Sequence, residues 1–246
     1  MRMKYLVPLA LSLFLRVCHA QPNAPQAQKD LKEKETSCTS RGTEAMWSQR
    51  AVDISVVTRD GSRDLRICSP DGAIAVVIKD DAWWVESGGR KFSLNKKKSY
   101  LGDHASLGWS PDNRTFYITQ SDGYSTGYAT NLYRFERERI LSLFNVTGTI
   151  LKNFEKRHRC WDNSPNIAGL AWINNGQQLM VVAEVPPIGM CDQMEYFAAY
   201  GIVMSTGRIV ARYSPKMLME QQQAVLGPRL TSNFKYMRPD QKDTLP

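Results

Sequence analysis

The side chains best suited to chemistry in this chain of 246 residues are few and scattered. Two histidines lie outside the first twenty residues, His104 and His158, and neither has a metal-ligand spacing such as His-Glu-x-x-His. The nearest approach to a metal cluster is Lys156-Arg-His-Arg-Cys-Trp-Asp162, where His158, Cys160 and Asp162 are close in sequence. A disulfide at Cys160 would remove its thiolate, so this segment reads as a surface loop and no metal or cofactor is expected. No Gly-x-Ser-x-Gly elbow and no phosphate-cradling glycine loop occurs. Asp80 and Asp81 are paired carboxylates, but neighbours on an extended chain point to opposite faces, which suits a turn better than acid–base catalysis. No catalytic residue is assigned. The alternative, a glycan or peptide hydrolase, would need converging loops around Asp103 and His104.

Aromatic residues offer a different chemistry, that of binding. Tyr124, Tyr128 and Tyr133 fall in Ser121-Asp-Gly-Tyr-Ser-Thr-Gly-Tyr-Ala-Thr-Asn-Leu-Tyr-Arg-Phe135, a mixture of Tyr, Ser, Gly and Asn typical of adaptable binding loops. Trp83 joins them as a candidate platform, while Trp84 is expected to pack between sheets.

Positioning these residues depends first on the compartment. Residues 1–20 place Arg2 and Lys4 before an apolar run and end in Cys18-His19-Ala20, the layout of a cleavable export signal. Its removal takes Arg2, Lys4 and Arg16 and no acidic residue, so the formal charge of +8 becomes +5. No other run approaches the ~20 apolar residues of a spanning helix. A modest positive charge on an exported chain argues against a nucleic-acid partner; the expected partner is a protein or a component of the cell envelope, with a periplasmic or secreted location. Cys38, Cys68, Cys160 and Cys191 then remain, an even number that favours disulfides. Three pairings are open; closing the two local loops, Cys38 with Cys68 and Cys160 with Cys191, would stabilise by about 3–4 kcal/mol each in the chain-entropy account.

Residues 21–45 read as a polar linker. From residue 46 to 213 short apolar runs alternate with turn signals, the texture of an all-β chain. One corner recurs as Cys68-Ser-Pro-Asp-Gly72, Trp109-Ser-Pro-Asp-Asn113 and Trp172-Ile-Asn-Asn-Gly176; a second turn recurs at Gly88, Gly148 and Gly207, 60 and 59 residues apart. The spacing predicts three units of four strands. The first spans Leu65 to Leu94. The second has strands at Ser106 to Trp109, Thr115 to Gln120, Leu141 to Val146 and Thr149 to Phe154, with an insertion from Ser121 to Ile140. The third has strands at Gly169 to Ile173, Gln178 to Glu184, Ala198 to Ser205 and Arg208 to Tyr213. A further strand is expected at Ile54 to Thr58. Ser214 and Pro215 should start a helix that ends at Gly227-Pro228, within a C-terminal segment, 214–246, that is loose from Thr231.

The strand, the Ser-Pro-Asp-Gly/Asn corner, the β-branched strand and the later Thr-Gly turn resemble the WD-like β-propeller blades of TolB-type proteins. What the resemblance implies is an incomplete or small propeller-like array of about three four-stranded antiparallel blades with a C-terminal helix, Trp109 and Trp172 packing between blades, and a partner held by inter-strand loops. Such blades serve many functions, so the resemblance speaks for fold and leaves function to the site.

Overall fold

Alternating apolar residues in short runs build strands, and strands pair in the order in which the chain delivers them. The computed structural model describes residues 38, 45–55, 64–79, 82–94, 104–121, 127–156, 158, 164–187 and 193–245, and three antiparallel sheets account for most of them. The first sheet is a meander of β2 (Asp64–Cys68), β3 (Ile74–Lys79), β4 (Ala82–Ser87) and β5 (Arg90–Ser93). The second has β6 (Ala105–Trp109), β7 (Thr115–Ser121), β8 (Tyr128–Glu136) and β9 (Arg139–Ser142), with the short β1 (Val52–Asp53) added beside β6. The third is β10 (Asn166–Ile173), β11 (Gln178–Glu184), β12 (Phe197–Val203) and β13 (Ile209–Tyr213). The chain is therefore mostly β, with three separate sheets and no closed barrel among the described residues.

The second sheet is the middle layer. Along β7 the side chains alternate between two cores: Phe116 and Ile118 join Ile67, Val76, Ile78, Trp83 and Val85 of the first sheet, while Tyr117 packs with Leu170, Val181 and Tyr200 of the third. Successive strand residues face opposite sides, so burial on both faces is what a sandwiched strand requires. The Tyr117 ring fits because Gly108 and Gly169 flank it; a Cβ at either would stand 2.4 or 2.6 Å from the ring. Corner residues Gly72 and Asn113 take positive φ, 73° and 60°, as a tight turn after Pro-Asp needs. Two tryptophans repeat one contact between sheets: Trp109 Nε1 donates to the Ile67 carbonyl at 3.2 Å, and Trp172 Nε1 to the Gly108 carbonyl at 3.2 Å. Cys68 holds the corresponding place in the first sheet, and it lies at disulfide distance from Cys38, with Cα atoms 5.6 Å apart.

Several expectations are corrected. The second unit has no strands at Leu141 to Val146 and Thr149 to Phe154. Its third and fourth strands are β8 and β9, which meet at Arg137 and Glu138 (φ 49° and 60°), and Val146–Phe154 is a helix, α1. Asn145 caps it by accepting from Gly148 N at 2.8 Å, and Val146, Ile150 and Phe154 recur at helical spacing on its buried face. Thr147-Gly148 is thus a first helical turn, and the 60-residue recurrence measured through Gly148 is a coincidence; Gly88 and Gly207 do sit at hairpin turns with positive φ. The helix takes over where β9 is too short to cover β8: Thr147 Oγ1 accepts from Thr130 N and donates to Thr130 O, at 2.9 and 3.1 Å. The expected strand at Ile54 to Thr58 is not found at Ile54 and Ser55: the strand of this region is β1, which ends at Asp53, and residues 56–58 lie outside the described residues. The C-terminal segment is more ordered than expected: Ser214 caps α2 (Pro215–Gln221), a short 3-10 turn covers Gln223–Val225, and Gly227-Pro228 opens a new helix, α3 (Pro228–Tyr236), before α4 (Pro239–Lys242). Pro at the first helical position starts a helix as readily as it ends the preceding one. Leu218, Val225, Leu226 and Leu230 from this region join the core of the third sheet.

Candidate functional site

Residues directly opposite one another in antiparallel strands share a face, and one such row crosses four strands of the second sheet. It runs Asp53 (β1), Ser106 (β6), Thr119 (β7) and Thr130 (β8), on the side turned toward the third sheet. All four are polar, and three are buried. Buried hydroxyls need partners, so the row can be followed bond by bond. Thr130 Oγ1 donates to the Ile167 carbonyl at 2.9 Å and lies 2.9 Å from Thr119 Oγ1, which accepts from Gly169 N at 3.0 Å. The half of the row that meets β10 is therefore satisfied. Ser106 is only 3% exposed, and its Oγ has no hydrogen-bond partner.

At that half of the row lies a small cleft lined by Asp53, His104, Ser106, Thr119, Tyr128 and Trp47 with Met46 and Ala105. Trp47 is 2% exposed, and its Nε1 also lacks a partner. Trp83 Nε1 is unpartnered too, but among hydrocarbon of the first sheet's core. Among the described residues, Ser106 and Trp47 both line this cleft. Asp53 Oδ1 accepts from Ser55 N at 2.9 Å and from the Ser55 hydroxyl, which fixes the carboxylate at the end of the row.

The wall carrying Trp47 and Tyr128 is held by a buried charge network. Glu184 is fully buried and accepts from Arg229 Nε and Nη2 at 2.8 and 3.0 Å, from Asn166 Nδ2 at 2.6 Å and from Asn233 Nδ2. Burial pushes its carboxyl up, against the pull of Arg229 and the two amides. Arg229 also lies over the Trp47 ring, 5.0 Å from its centre; Asn166 Oδ1 accepts from Tyr128 N at 3.1 Å; and the Trp47 and Tyr128 rings meet edge to face at 5.2 Å. Ser48, buried beside Trp47, donates to the Leu170 carbonyl.

A larger groove lies at the opposite end of β7 and β8, among Asp71, Asp112, Asn113, Arg114, Glu136 and Arg137. Its acids are occupied by their own turns: Asp71 accepts from Ser69 Oγ and Ala73 N, and Asp112 from Arg114 N, Thr115 N and Thr115 Oγ1. These bonds hold both carboxyls below the usual range, for Asp112 in spite of the opposing effect of burial.

Of the residues singled out from sequence, Tyr128 reaches the cleft, from a strand rather than a loop. Tyr133 lies on the other face of β8, stacked on Phe116 at 5.4 Å, and burial pushes its phenol up. The adjacent tryptophans exchange roles. Trp83 is buried in the core between the first and second sheets, while Trp84 is on the outer face, donating to Glu86 at 2.8 Å with Lys91 over its ring at 4.7 Å. His158 is not on a surface loop; it is buried between Phe154 and Tyr196, with ring centres 4.6 and 4.3 Å away. His104 is exposed at the cleft rim. Tyr124, Asp80, Asp81, Asp103, Cys160, Asp162, Cys191 and residues 1–37 lie outside the described residues. Among those described, no three His, Cys, Asp or Glu side chains are grouped to hold a metal, and no helix is long and apolar enough to cross a membrane. Asp53, Ser106 and Thr119 escaped the sequence reading; their only signal is a polar residue at matching positions of strands that prove to be buried on both faces.

No protein-family model matches the chain, and no curated protein does. A chain of Kuenenia stuttgartiensis hydrazine synthase is similar over 60% of this chain and 36% of that one, at 16% identity and a TM-score of 0.32. This chain spans little more than a third of that chain's length, and a likeness at that score carries no argument.

Proposed function

We propose that the protein is an exported, non-enzymatic binding protein of the cell envelope that holds its partner at the cleft beside β1 and β6, on an open propeller-like array of three blades. The observation that carries the reading is the half-satisfied polar row, with two buried polar groups, Ser106 Oγ and Trp47 Nε1, lacking partners in one wall. Burying an unpaired polar group costs about 1–3 kcal/mol, and natural chains keep such groups where something else meets them. Support for a blade array is the in-register repeat of Trp109 and Trp172 bonding the preceding sheet. Support for export is the leader-like N-terminus and the Cys38–Cys68 pair.

The test is site-specific photocrosslinking in intact cells, with a photoreactive residue at position 128 or, for comparison, at the exposed Val210 of β13. A discrete adduct from 128 and none from 210, in the envelope fraction, is the expected result. Equal labelling from both positions, or none, would count against the cleft. A second reading, hydrolysis, draws on His104, Asp53 and Ser106 lining one cleft. A serine nucleophile must donate to a base, whereas Ser106 Oγ makes no hydrogen bond. Turnover of a glycan or peptide abolished by Ser106→Ala would favour that reading over binding.

A further inference from the structure

We propose that the groove between the first two sheets, at the far end of β7 from the cleft, is a second binding site and takes a small organic carboxylate with an apolar body. One hairpin turn occurs twice with different residues. Gly88-Gly89 joins β4 to β5 with φ of 56° and 73°, and glycine adopts this backbone without steric cost. Arg137-Glu138 joins β8 to β9 in the same way with φ of 49° and 60°, where a Cβ crowds the following carbonyl. Residues other than glycine are kept in this region where a role offsets the strain. Glu138 has such a role: its carboxylate pairs with Arg90, the residue after the two glycines, across the two hairpins. The Arg137 guanidinium makes no hydrogen bond or ion pair among the described residues; its place is in the wall of the groove.

The groove has the form of a site. Its walls are the two Pro-Asp corners and the ends of the two hairpins, at Ser87 and at Phe135 to Arg137. Asp71 N donates to Asn113 Oδ1 at 3.1 Å, bonding corner to corner as Arg90 and Glu138 bond hairpin to hairpin. Its volume of about 440 Å3 falls within the ~300–1,000 Å3 usual for small-molecule sites. The groups left unspent in its walls select the ligand. Asp71 and Asp112 are engaged by their own turns, and Glu136 has Arg134 Nε 3.8 Å away. The Arg114 guanidinium, like that of Arg137, has no partner among the described residues, so two forks that only donate line one groove. With Arg134 counted, three cations stand against three acids, and one added negative charge meets no net repulsion. A phosphate would bring a second charge and leave the floor bare, where Ala73 is exposed and Ile74 and Phe135 rise from the core between the sheets. An ammonium would find the acids already bonded and two guanidinium groups beside it. A carboxylate matches a guanidinium fork with two bonds, and an apolar body behind it would cover Ala73 and the edges of Ile74 and Phe135.

The test is an NMR titration of the isotope-labelled protein with phenylacetate, phenylacetamide, phenethylamine and inorganic phosphate as separate probes. Phenylacetate should shift the amide signals of Ala73, Ser87, Arg114 and Phe135 and saturate, with the other three at least about tenfold weaker, the loss of a charge-assisted hydrogen bond. Arg114→Gln and Arg137→Gln should each weaken phenylacetate binding about tenfold. Lys152→Gln, which removes the same charge from the exposed side of α1, should bind as the parent does. Arg137→Gly separates binding from folding: relief of the positive φ should raise the midpoint of denaturant unfolding, while binding falls as in Arg137→Gln. A tripeptide ending in Phe, with its C-terminus free or amidated, distinguishes the sources of the carboxylate. Binding of the free form as tight as that of phenylacetate assigns the site to peptide termini; binding of phenylacetate alone assigns it to free acids. The proposal is overturned by an absence of shifts at these residues, by equal binding of acid and amide or of phosphate, or by binding that survives both glutamine substitutions. An Arg137→Gly protein that is less stable and binds normally overturns it as well.

Discussion

The two faces of β7 differ in what they give the protein. Toward the first sheet, Phe116 and Ile118 enter a core of hydrocarbon and aromatic rings; toward the third, Tyr117 and Thr119 enter an interface threaded by the row from Asp53 to Thr130. The first interface stabilises by area removed from water, which is tolerant of detail. The second stabilises only where each polar group meets a partner, and it leaves Ser106 and Trp47 without one. A strand of seven residues thus carries an apolar interface on one side and a wall of the proposed binding cleft on the other.

The comparison can be broken by single substitutions. Phe116→Ala should cause the largest loss of stability, about 3–5 kcal/mol by denaturant titration, because it empties a fully buried site of the hydrocarbon interface. Ligand binding at the cleft should survive in the folded fraction, since Phe116 points away from it. Glu184→Ala should cost about 3–5 kcal/mol as well, through an uncompensated Arg229, but should also weaken binding, because Arg229 and Asn166 hold Trp47 and Tyr128. The pair separates loss of stability from loss of the wall.

Much of the hydrocarbon interface was legible in the sequence, and little of the polar one. The corners at Ser69-Pro-Asp and Ser110-Pro-Asp and the strand Gln178–Glu184 follow from turn chemistry and period-two alternation, whereas the packing of Trp109 and Trp172 between sheets is what the blade resemblance implies. Val-Thr-Gly-Thr at 146–149 suits a hairpin turn and a capped first helical turn equally; the edge of β8 left bare by β9 decides between them. Alternation states that Trp83 and Trp84 diverge, not which one faces inward; Trp83 enters the core and Trp84 lies outside it. Ser106 and Thr119 look like solvent-facing residues until the second sheet is known to lie between two others.

Smaller effects sharpen the contrast further. Thr119→Val keeps the shape but leaves Gly169 N–H without its acceptor, and should cost about 1–3 kcal/mol. Asp112→Asn, at the far end of β7, should cost less than about 1 kcal/mol at neutral pH. Burial, the largest single influence on Asp112, pushes its carboxyl up, but the bonds from Thr115, Arg114 N and Ser110 together hold it below the usual range. A depressed folded-state pKa means its contribution is full above the ordinary carboxylate value of about 4 and is lost as pH falls through the folded value. The stability gap between parent and variant should therefore close on acidification below about pH 4, as chemical denaturation across pH will register.

The most direct test sets two hydroxyls of one row against each other: equilibrium unfolding of Ser106→Ala beside Thr119→Val. If the row divides into a bonded half and a half reserved for a ligand, Ser106→Ala removes a buried group that has no partner, and stability should stay within about 0.5 kcal/mol of the parent or rise, while Thr119→Val falls by about 1–3 kcal/mol. Equal losses in the two variants would mean that Ser106 is structurally bonded like Thr119, and would contradict the account.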